Sequence, residues 1–114
     1  MDLGLVEREQ DGWIVLTVSG EIDIATAPSL RERLHSLLAD EKHRLIIDLD
    51  DVGFLDSTAL GVLVGALKRA RMDDGEVRIA CAQPRVLKVF EITRLDSAFD
   101  LFDSVEEAVR GARE

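Results

Sequence analysis

The triplet Asp56-Ser57-Thr58 places two hydroxyl groups beside a carboxylate, where an apolar run gives way to the helical spacing of ALGVLVGALKRAR. If a helix begins at residue 57 or 58, the Ser57 hydroxyl can accept a hydrogen bond from the free amide of Ala59 or Leu60 and cap the helix. The same position favours a phosphate, because the free amides and partial positive charge of a helix start attract anions. Ser57 is therefore either a helix cap or a phosphorylation site, where a phosphate would add roughly two negative charges without unfolding the chain.

Two further acidic residues are expected near this triplet. Glu21 and Asp23 lie in GEIDIAT, which follows one predicted strand, whereas Asp56 ends DLDDVGFLD, which follows the next. Because open α/β sheets present functional loops at the carboxyl edge of their strands, we expect these acids and Ser57 to share one face. The alternative is that Glu21 and Asp23 are ordinary solvated side chains near a helix start.

The elements that position these residues begin with a hairpin. Asp11-Gly12 is a strong two-residue turn signal, and the run WIVLTVS after it is apolar and rich in β-branched residues. Leu3–Glu9 should therefore pair antiparallel with Trp13–Ser19.

Helices and buried strands alternate after the hairpin. The first helix has Thr26 as its predicted N-cap, Pro28 in its first turn and an end near Asp40. Its apolar face is formed by Leu30, Leu34, Leu37 and Leu38. Arg44–Leu49 reads as a buried strand. The helix after it is predicted by the spacing of Leu60, Leu63, Val64 and Leu67, and is broken at Asp73-Asp74-Gly75.

The rest of the chain repeats this order. VRIACA forms a buried strand, Pro84 opens a helix, a short strand follows around Phe99–Phe102, and Ser104 with Glu107 makes a capping box before the last helix. Strand-helix-strand units require parallel pairing with right-handed crossovers. The predicted fold is thus α/β: a mixed β-sheet with an N-terminal antiparallel hairpin, its remaining strands parallel, and flanking α-helices, in a single domain spanning residues 1–114.

Charge and hydropathy restrict the partners of the chain. Its 23 acidic and 14 basic side chains give a formal charge of -9, which repels phosphate backbones and anionic membranes. No apolar run approaches the roughly 20 residues needed to span a bilayer, and the N-terminus lacks a signal-peptide pattern. We therefore expect a cytoplasmic protein that binds neither nucleic acid nor membrane.

Enzymatic and metal-binding functions have little support in the sequence. His35 and His43 make no triad pattern with the serine, and there is no G-x-S-x-G motif. Asp48, Asp50 and Asp51 could suggest a magnesium site, but strand alternation sends the first two to one side and the third to the other. We expect no catalytic residue, no cofactor and no metal.

Several other residues are expected to have structural roles. Gly61 and Gly65 lie four residues apart on the second helix, where they predict close packing against the sheet. Trp13 and the four phenylalanines are predicted to lie in the core. Cys81, the single cysteine, is predicted to be a buried strand thiol and fits a reducing compartment.

The segment FLDSTALGVLVGALKRAR resembles the phosphoacceptor motif of the STAS-domain anti-sigma factor antagonists, a bacterial family. The match extends upstream to GEIDIATAPSLRERL and downstream to VRIACAQPRVLKVFEITRLDSAFDLFDS, so that it covers nearly the whole chain. The resemblance implies a STAS-like fold and makes Ser57 the acceptor serine. It also implies a partner, an anti-sigma factor that is itself an ATP-dependent serine kinase.

The resemblance further implies a partner-switching cycle. Unmodified, the protein binds the anti-sigma factor and frees a sigma factor; phosphorylated at Ser57, it is released, and a separate serine phosphatase restores it. The residues implied to bind the partner are Glu21, Asp23, Asp56, Ser57, Thr58 and Leu60. Asp56 would help to orient the seryl hydroxyl, and Thr58 would be a further contact or a second modification site. The family usually has glycine where Ala59 stands, so an extra methyl group is expected beside the acceptor.

A second interpretation keeps the fold but changes the role. STAS-like domains also serve as non-phosphorylated regulatory subunits of transport or signalling complexes. The intact Asp56-Ser57-Thr58 triplet favours the phosphorylated class.

Overall fold

The computed structural model describes residues 3–39 and 44–111, which form one five-stranded sheet with strand order β1-β2-β3-β4-β5. The strands are β1 (Gly4–Gln10), β2 (Trp13–Ile22), β3 (Arg44–Leu55), β4 (Glu76–Ala80) and β5 (Asp100–Phe102). The helices are α1 (Ala27–Leu37), α2 (Ser57–Met72), α3 (Pro84–Ile92) and α4 (Val105–Arg110), with a 3-10 turn at Leu95–Ser97.

The sheet confirms the predicted mixed topology. β1 pairs antiparallel with β2 through a turn in which Asp11 (φ 51°) and Gly12 (φ 86°) both have positive φ, as a two-residue type I′ turn requires. The pairs β2–β3, β3–β4 and β4–β5 are all parallel. The carboxyl ends of β2 and β3 therefore lie side by side at one edge.

Helices cover both faces of the sheet. Side chains from α1, α2 and α3, among them Leu34, Leu63 and Phe90, pack in one buried cluster with β3 residues such as Ile47. α4 contributes to a smaller cluster on the opposite face, which includes Trp13, Ile46, Phe102 and Val105. Alternation along each strand sends neighbouring residues to opposite faces, so the sheet is buried on both.

Two strands are longer than the sequence predicts. β3 continues past the expected end at Leu49 to Leu55, and β2 continues to Ile22, so parts of GEIDIAT and DLDDVGFLD are strand rather than loop. β2 and β3 have register irregularities near Thr17 and Gly20 and pair again beyond each of them. In this extended part of β3, Val52 and Leu55 are buried in the core. The predicted strand end was therefore wrong.

The predicted helices are confirmed, with an adjustment to the end of α1. Thr26 does occupy the N-cap position of α1, and Pro28 lies in its first turn. The predicted end near Asp40 falls outside the described residues, as does His43, and α1 itself ends at Leu37. At α4, the Ser104 hydroxyl accepts a hydrogen bond from the Glu107 amide at 3.1 Å, which is one of the two hydrogen bonds of the predicted capping box.

The predicted packing role of the glycines on α2 was wrong. Gly61 and Gly65 are exposed, and a Cβ atom added to either would meet no other group within 4 Å. The sheet-facing side of α2 carries larger residues such as Leu63 and Leu67 instead. The two glycines therefore face away from the sheet.

The buried thiol and the acidic cluster are accounted for within the fold. Cys81 is buried as predicted but lies one residue past β4, which ends at Ala80 rather than continuing through the predicted VRIACA, and burial raises the pKa of its thiol to about 11. Asp48 accepts a hydrogen bond from the Asp50 amide, and Asp50 accepts one from the Ala82 amide. Among residues 3–39 and 44–111, no cluster of three His, Cys, Asp or Glu side chains is arranged to hold a metal ion.

Within the same ranges, no helix is both long and apolar enough to cross a membrane.

Candidate functional site

The acceptor triplet and the GEIDIAT loop meet at the carboxyl edge of β2 and β3. Ile22 is in register with Leu55, and the Asp56 amide donates a hydrogen bond to the Ile22 carbonyl at 3.2 Å. Glu21, one residue before this point, is exposed, and Ser57 begins α2 directly after it. The structure therefore brings the predicted acids and the serine to the same edge.

Asp56, rather than Ser57, caps the helix. Asp56 has extended backbone angles (φ −110°, ψ −173°), and its carboxylate accepts a hydrogen bond from the Ala59 amide at 3.0 Å. The Asp56 carbonyl accepts the Leu60 amide at 3.1 Å. Both amides that a Ser57 cap would need are thus bound by Asp56, and the interpretation of Ser57 as the capping residue was wrong.

Ser57 is consequently an exposed hydroxyl at the first position of a 16-residue helix. The first turn of α2 carries no acidic residue, so the carboxylate that faces the partial positive charge of this helix start is that of the N-cap, Asp56. Thr58 is only partly exposed. A modifying enzyme would reach Ser57 without opening the helix.

The next two residues of α2 point into the core. Ala59 is fully buried, so the methyl group that replaces the family's usual glycine does not project beside the acceptor. Leu60 is 7 % exposed and belongs to the main core cluster. Its place among the partner-binding residues stays a prediction, which the burial of its side chain does not favour.

Asp23 organises the loop before α1. Its carboxylate accepts hydrogen bonds from the Thr26 amide at 3.0 Å and the Ala25 amide at 2.9 Å. The backbone hydrogen bond from Thr26, strongest among these interactions, holds the pKa of the Asp23 carboxyl below its ordinary value. Asp23 is thus more than the solvated loop acid of the alternative interpretation.

Thr26 fastens the same loop to the strand. Although it occupies the N-cap position of α1, its hydroxyl makes no capping bond to the helix. The hydroxyl donates to the Glu21 carbonyl at 2.7 Å and accepts from the Asp23 amide at 3.0 Å. These bonds give the segment between β2 and α1 a defined shape beside Ser57.

Sequence reasoning missed two apolar residues at this edge. Ile24, in the loop, is 76 % exposed, and Phe54, opposite Glu21 in the sheet register, is 46 % exposed. Both are thus large apolar side chains open to solvent at this end of β2 and β3. Phe54 had been predicted to be core, and the signal that could have revealed it is its position one residue before the buried Leu55. We call the surface formed by Glu21, Asp23, Ile24, Phe54, Asp56 and Ser57 the acceptor edge.

Comparison with known proteins agrees with this arrangement. Residues 5–108 match the family model described as STAS domain. The chain belongs to the STAS-domain family. The anti-sigma-B factor antagonist of Bacillus subtilis (strain 168) is 34% identical over 110 residues, covering 96% of this chain and 100% of that relative. The resemblance identified from the phosphoacceptor motif is confirmed.

Solved structures share the fold along almost the whole chain. The crystal structure of an anti-sigma factor antagonist from Mycobacterium paratuberculosis has a TM-score of 0.88 at 30% identity, covering 98% of this chain and 95% of that one. The Bacillus cell fate determinant SpoIIAA in its phosphorylated form has a TM-score of 0.72 at 19% identity, covering 96% and 100%, and bears on the fold alone. The predicted STAS-like mixed sheet is confirmed, and the named antagonists are regulatory proteins.

Proposed function

We propose that this chain is an anti-sigma factor antagonist whose binding is switched by phosphorylation of Ser57. Unmodified, it binds an anti-sigma factor with serine kinase activity and thereby frees a sigma factor. Phosphorylated at Ser57, it releases the kinase, and a serine phosphatase restores it. This cycle would take place in the cytoplasm, and the chain itself would supply no catalytic residue. The observation that carries the proposal is the exposed Ser57 hydroxyl at a helix start that Asp56 already caps.

The acceptor edge supports a switch based on charge. A phosphate on Ser57 would add roughly two negative charges beside Asp56. Helix amides would tolerate it, so the fold would persist while the docking surface changed in charge and bulk. Glu21 and Asp23 would contact a basic patch on the kinase, and Ile24 and Phe54 would supply the apolar part of the contact.

Two further residues fit this proposal in secondary ways. Thr58, which is partly exposed, would contact the partner at the rim of the surface rather than serve as the main acceptor. Ala59 would leave the approach of the kinase open, because its methyl group is buried. Phosphorylation should therefore proceed despite the missing family glycine.

The first test is recovery of the partner. Wild-type protein and the Ser57→Asp variant serve as baits in lysate of the native cell, and retained proteins are identified by mass spectrometry. The proposal expects an ATPase of the serine kinase class on the wild-type bait and its loss from the Ser57→Asp bait. Equal retention of the same proteins by both baits would contradict the switch and favour a constitutive STAS regulatory subunit.

The second test is direct mapping of the phosphate. The recovered kinase is incubated with ATP and the wild-type, Ser57→Ala or Thr58→Ala protein. Phosphopeptide mass spectrometry should find phosphate in the wild type and Thr58→Ala, and none in Ser57→Ala. Phosphorylation that persists in Ser57→Ala would reassign the acceptor.

A further inference from the structure

A groove runs between α1 and α2, beginning next to the acceptor serine. It encloses about 560 Å³, with Ser57 and Thr58 at one end and Arg69 towards the other. The stretch of α2 from Ser57 to Arg69 is about 18 Å long at 1.5 Å per residue. The groove therefore runs along about three turns of α2.

The floor of the groove is apolar and open. Gly61 and Gly65 leave space above α2, since no group lies within 4 Å of where their Cβ atoms would be. Exposed glycines in the interior of a helix lower its stability relative to alanine. Between and beside them the floor is formed by Leu34, Leu38, Val62 and Ala66. Such a surface allows the backbone of a second helix to approach closely, as in helix-in-groove recognition.

The rim of the groove is positive although the chain is acidic. Among the described residues, its charged or titratable lining consists of Arg31, His35 and Arg69, with no Asp or Glu. The whole chain has 23 acidic against 14 basic side chains. Arg69 also pairs with Asp73 at 3.4 Å, and both side chains are substantially exposed. Because Asp73 partly neutralises Arg69, the positive charge at the rim that favours an acidic occupant comes mainly from Arg31.

We propose that this groove binds an amphipathic helix of the anti-sigma factor, with its apolar stripe over Gly61 and Gly65 and its Asp or Glu side chains beside Arg31 and Arg69. The identity of the partner rests on the proposed function. The groove adds a physical reason for release: a phosphate on Ser57 stands at its mouth and repels the acidic helix. The acidic acceptor edge and the basic groove then form one continuous partner-binding surface, whose two parts carry opposite charge.

Substitutions that fill the groove test whether it binds the kinase. The double variant Gly61→Leu/Gly65→Leu should weaken binding of the recovered kinase roughly tenfold or more. The matched control is Lys68→Leu, which adds leucine to an exposed position of α2 outside the groove and should bind like the wild type. If the double variant fails to fold, Gly61→Ala/Gly65→Ala replaces it and should still weaken binding measurably. Wild-type affinity in the folded glycine variants would overturn the inference.

Charge reversal and cross-linking test the chemistry of the occupant. Arg31→Glu should weaken binding more than Lys88→Glu, an equal charge change on α3. A photo-cross-linking residue at position 65 should attach to an acidic, amphipathic helical segment of the kinase. A complex that forms normally but cross-links to a basic segment, or not at all, would overturn the groove while the proposed function stands. If no kinase binds the wild type at all, the proposed function itself fails.

Discussion

At the scale of single residues, Asp56 takes over the capping role that the sequence leaves open for Ser57. The Asp56 carboxylate binds the Ala59 amide at 3.0 Å and so satisfies the helix start. Ser57, the next residue, is exposed and takes no part in that cap. A phosphate can therefore come and go at Ser57 without removing the group that starts α2.

This division of tasks predicts unequal costs for two alanine substitutions. Asp56→Ala should lower the free energy of unfolding by about 1 kcal/mol, because it removes the N-cap. Ser57→Ala, an exposed position in the first turn, should change it by less than about 0.5 kcal/mol. Urea denaturation followed by circular dichroism measures both. A larger loss for Ser57→Ala than for Asp56→Ala would return the cap to the serine.

Residue types alone could identify the triplet but could not assign its roles. Aspartate and serine are both good N-caps, so the choice depends on which backbone is extended where β3 ends. The sequence also did not decide whether Leu60 lies in the core, because its helical spacing fits either a core position or a contact with a partner. The exposure of Phe54 depends on how far β3 extends, and the residue types of that segment do not reveal where the strand ends.

At the scale of the elements, α2 carries an unusual outer face. Gly61→Ala and Gly65→Ala should each raise the free energy of unfolding by about 0.4–1 kcal/mol, because alanine restricts the unfolded chain and meets nothing in the folded one. The contrasting control is Gly111→Ala, which should destabilise the protein since Gly111 has φ +71°. Destabilisation by the two α2 substitutions would contradict the open groove.

On β3, burial makes one carboxyl group sensitive to pH. Desolvation raises the pKa of Asp48 above its ordinary value of 3.8. The folded state therefore binds the proton more tightly than the unfolded state, and the stability that this provides is complete below pH 3.8 and is lost as pH rises through the folded pKa.

Asp48→Asn should consequently raise the thermal midpoint at pH 7, where the wild-type carboxylate is charged. The amide oxygen of asparagine can still accept the Asp50 amide that Asp48 accepts at 3.1 Å. The advantage should shrink as the pH falls through the raised folded pKa and be lost below pH 3.8, and calorimetry over a pH series measures it. A lower midpoint for Asp48→Asn at pH 7 would mean that the charge is stabilising.

The order of the elements follows from patterns that are local in the sequence. Turn residues such as Asp11-Gly12 and the leucine spacing of the helices predict each element correctly. The ends of β2 and β3 could not be predicted, because they extend only through parallel pairing with each other after an irregular register. The orientation of Gly61 and Gly65 likewise depends on the side of α2 that packs on the sheet.

At the scale of the whole molecule, charge is distributed unevenly. The chain has a net charge of -9, and the acceptor edge carries three carboxylates, whereas the groove between α1 and α2 has a basic rim. Ser57 lies where these surfaces meet. A phosphate at this point acts on both, by extending the acidic edge and by opposing an acidic occupant of the groove.

The most direct measurement compares the affinity of the recovered anti-sigma factor for the unmodified protein and for protein phosphorylated only at Ser57. Isothermal titration calorimetry gives both dissociation constants, and circular dichroism verifies that both forms are folded. We expect phosphorylation to weaken binding by roughly 100-fold, a coupling near the upper end of common allosteric effects. Equal dissociation constants for the two folded forms would contradict the proposed switch.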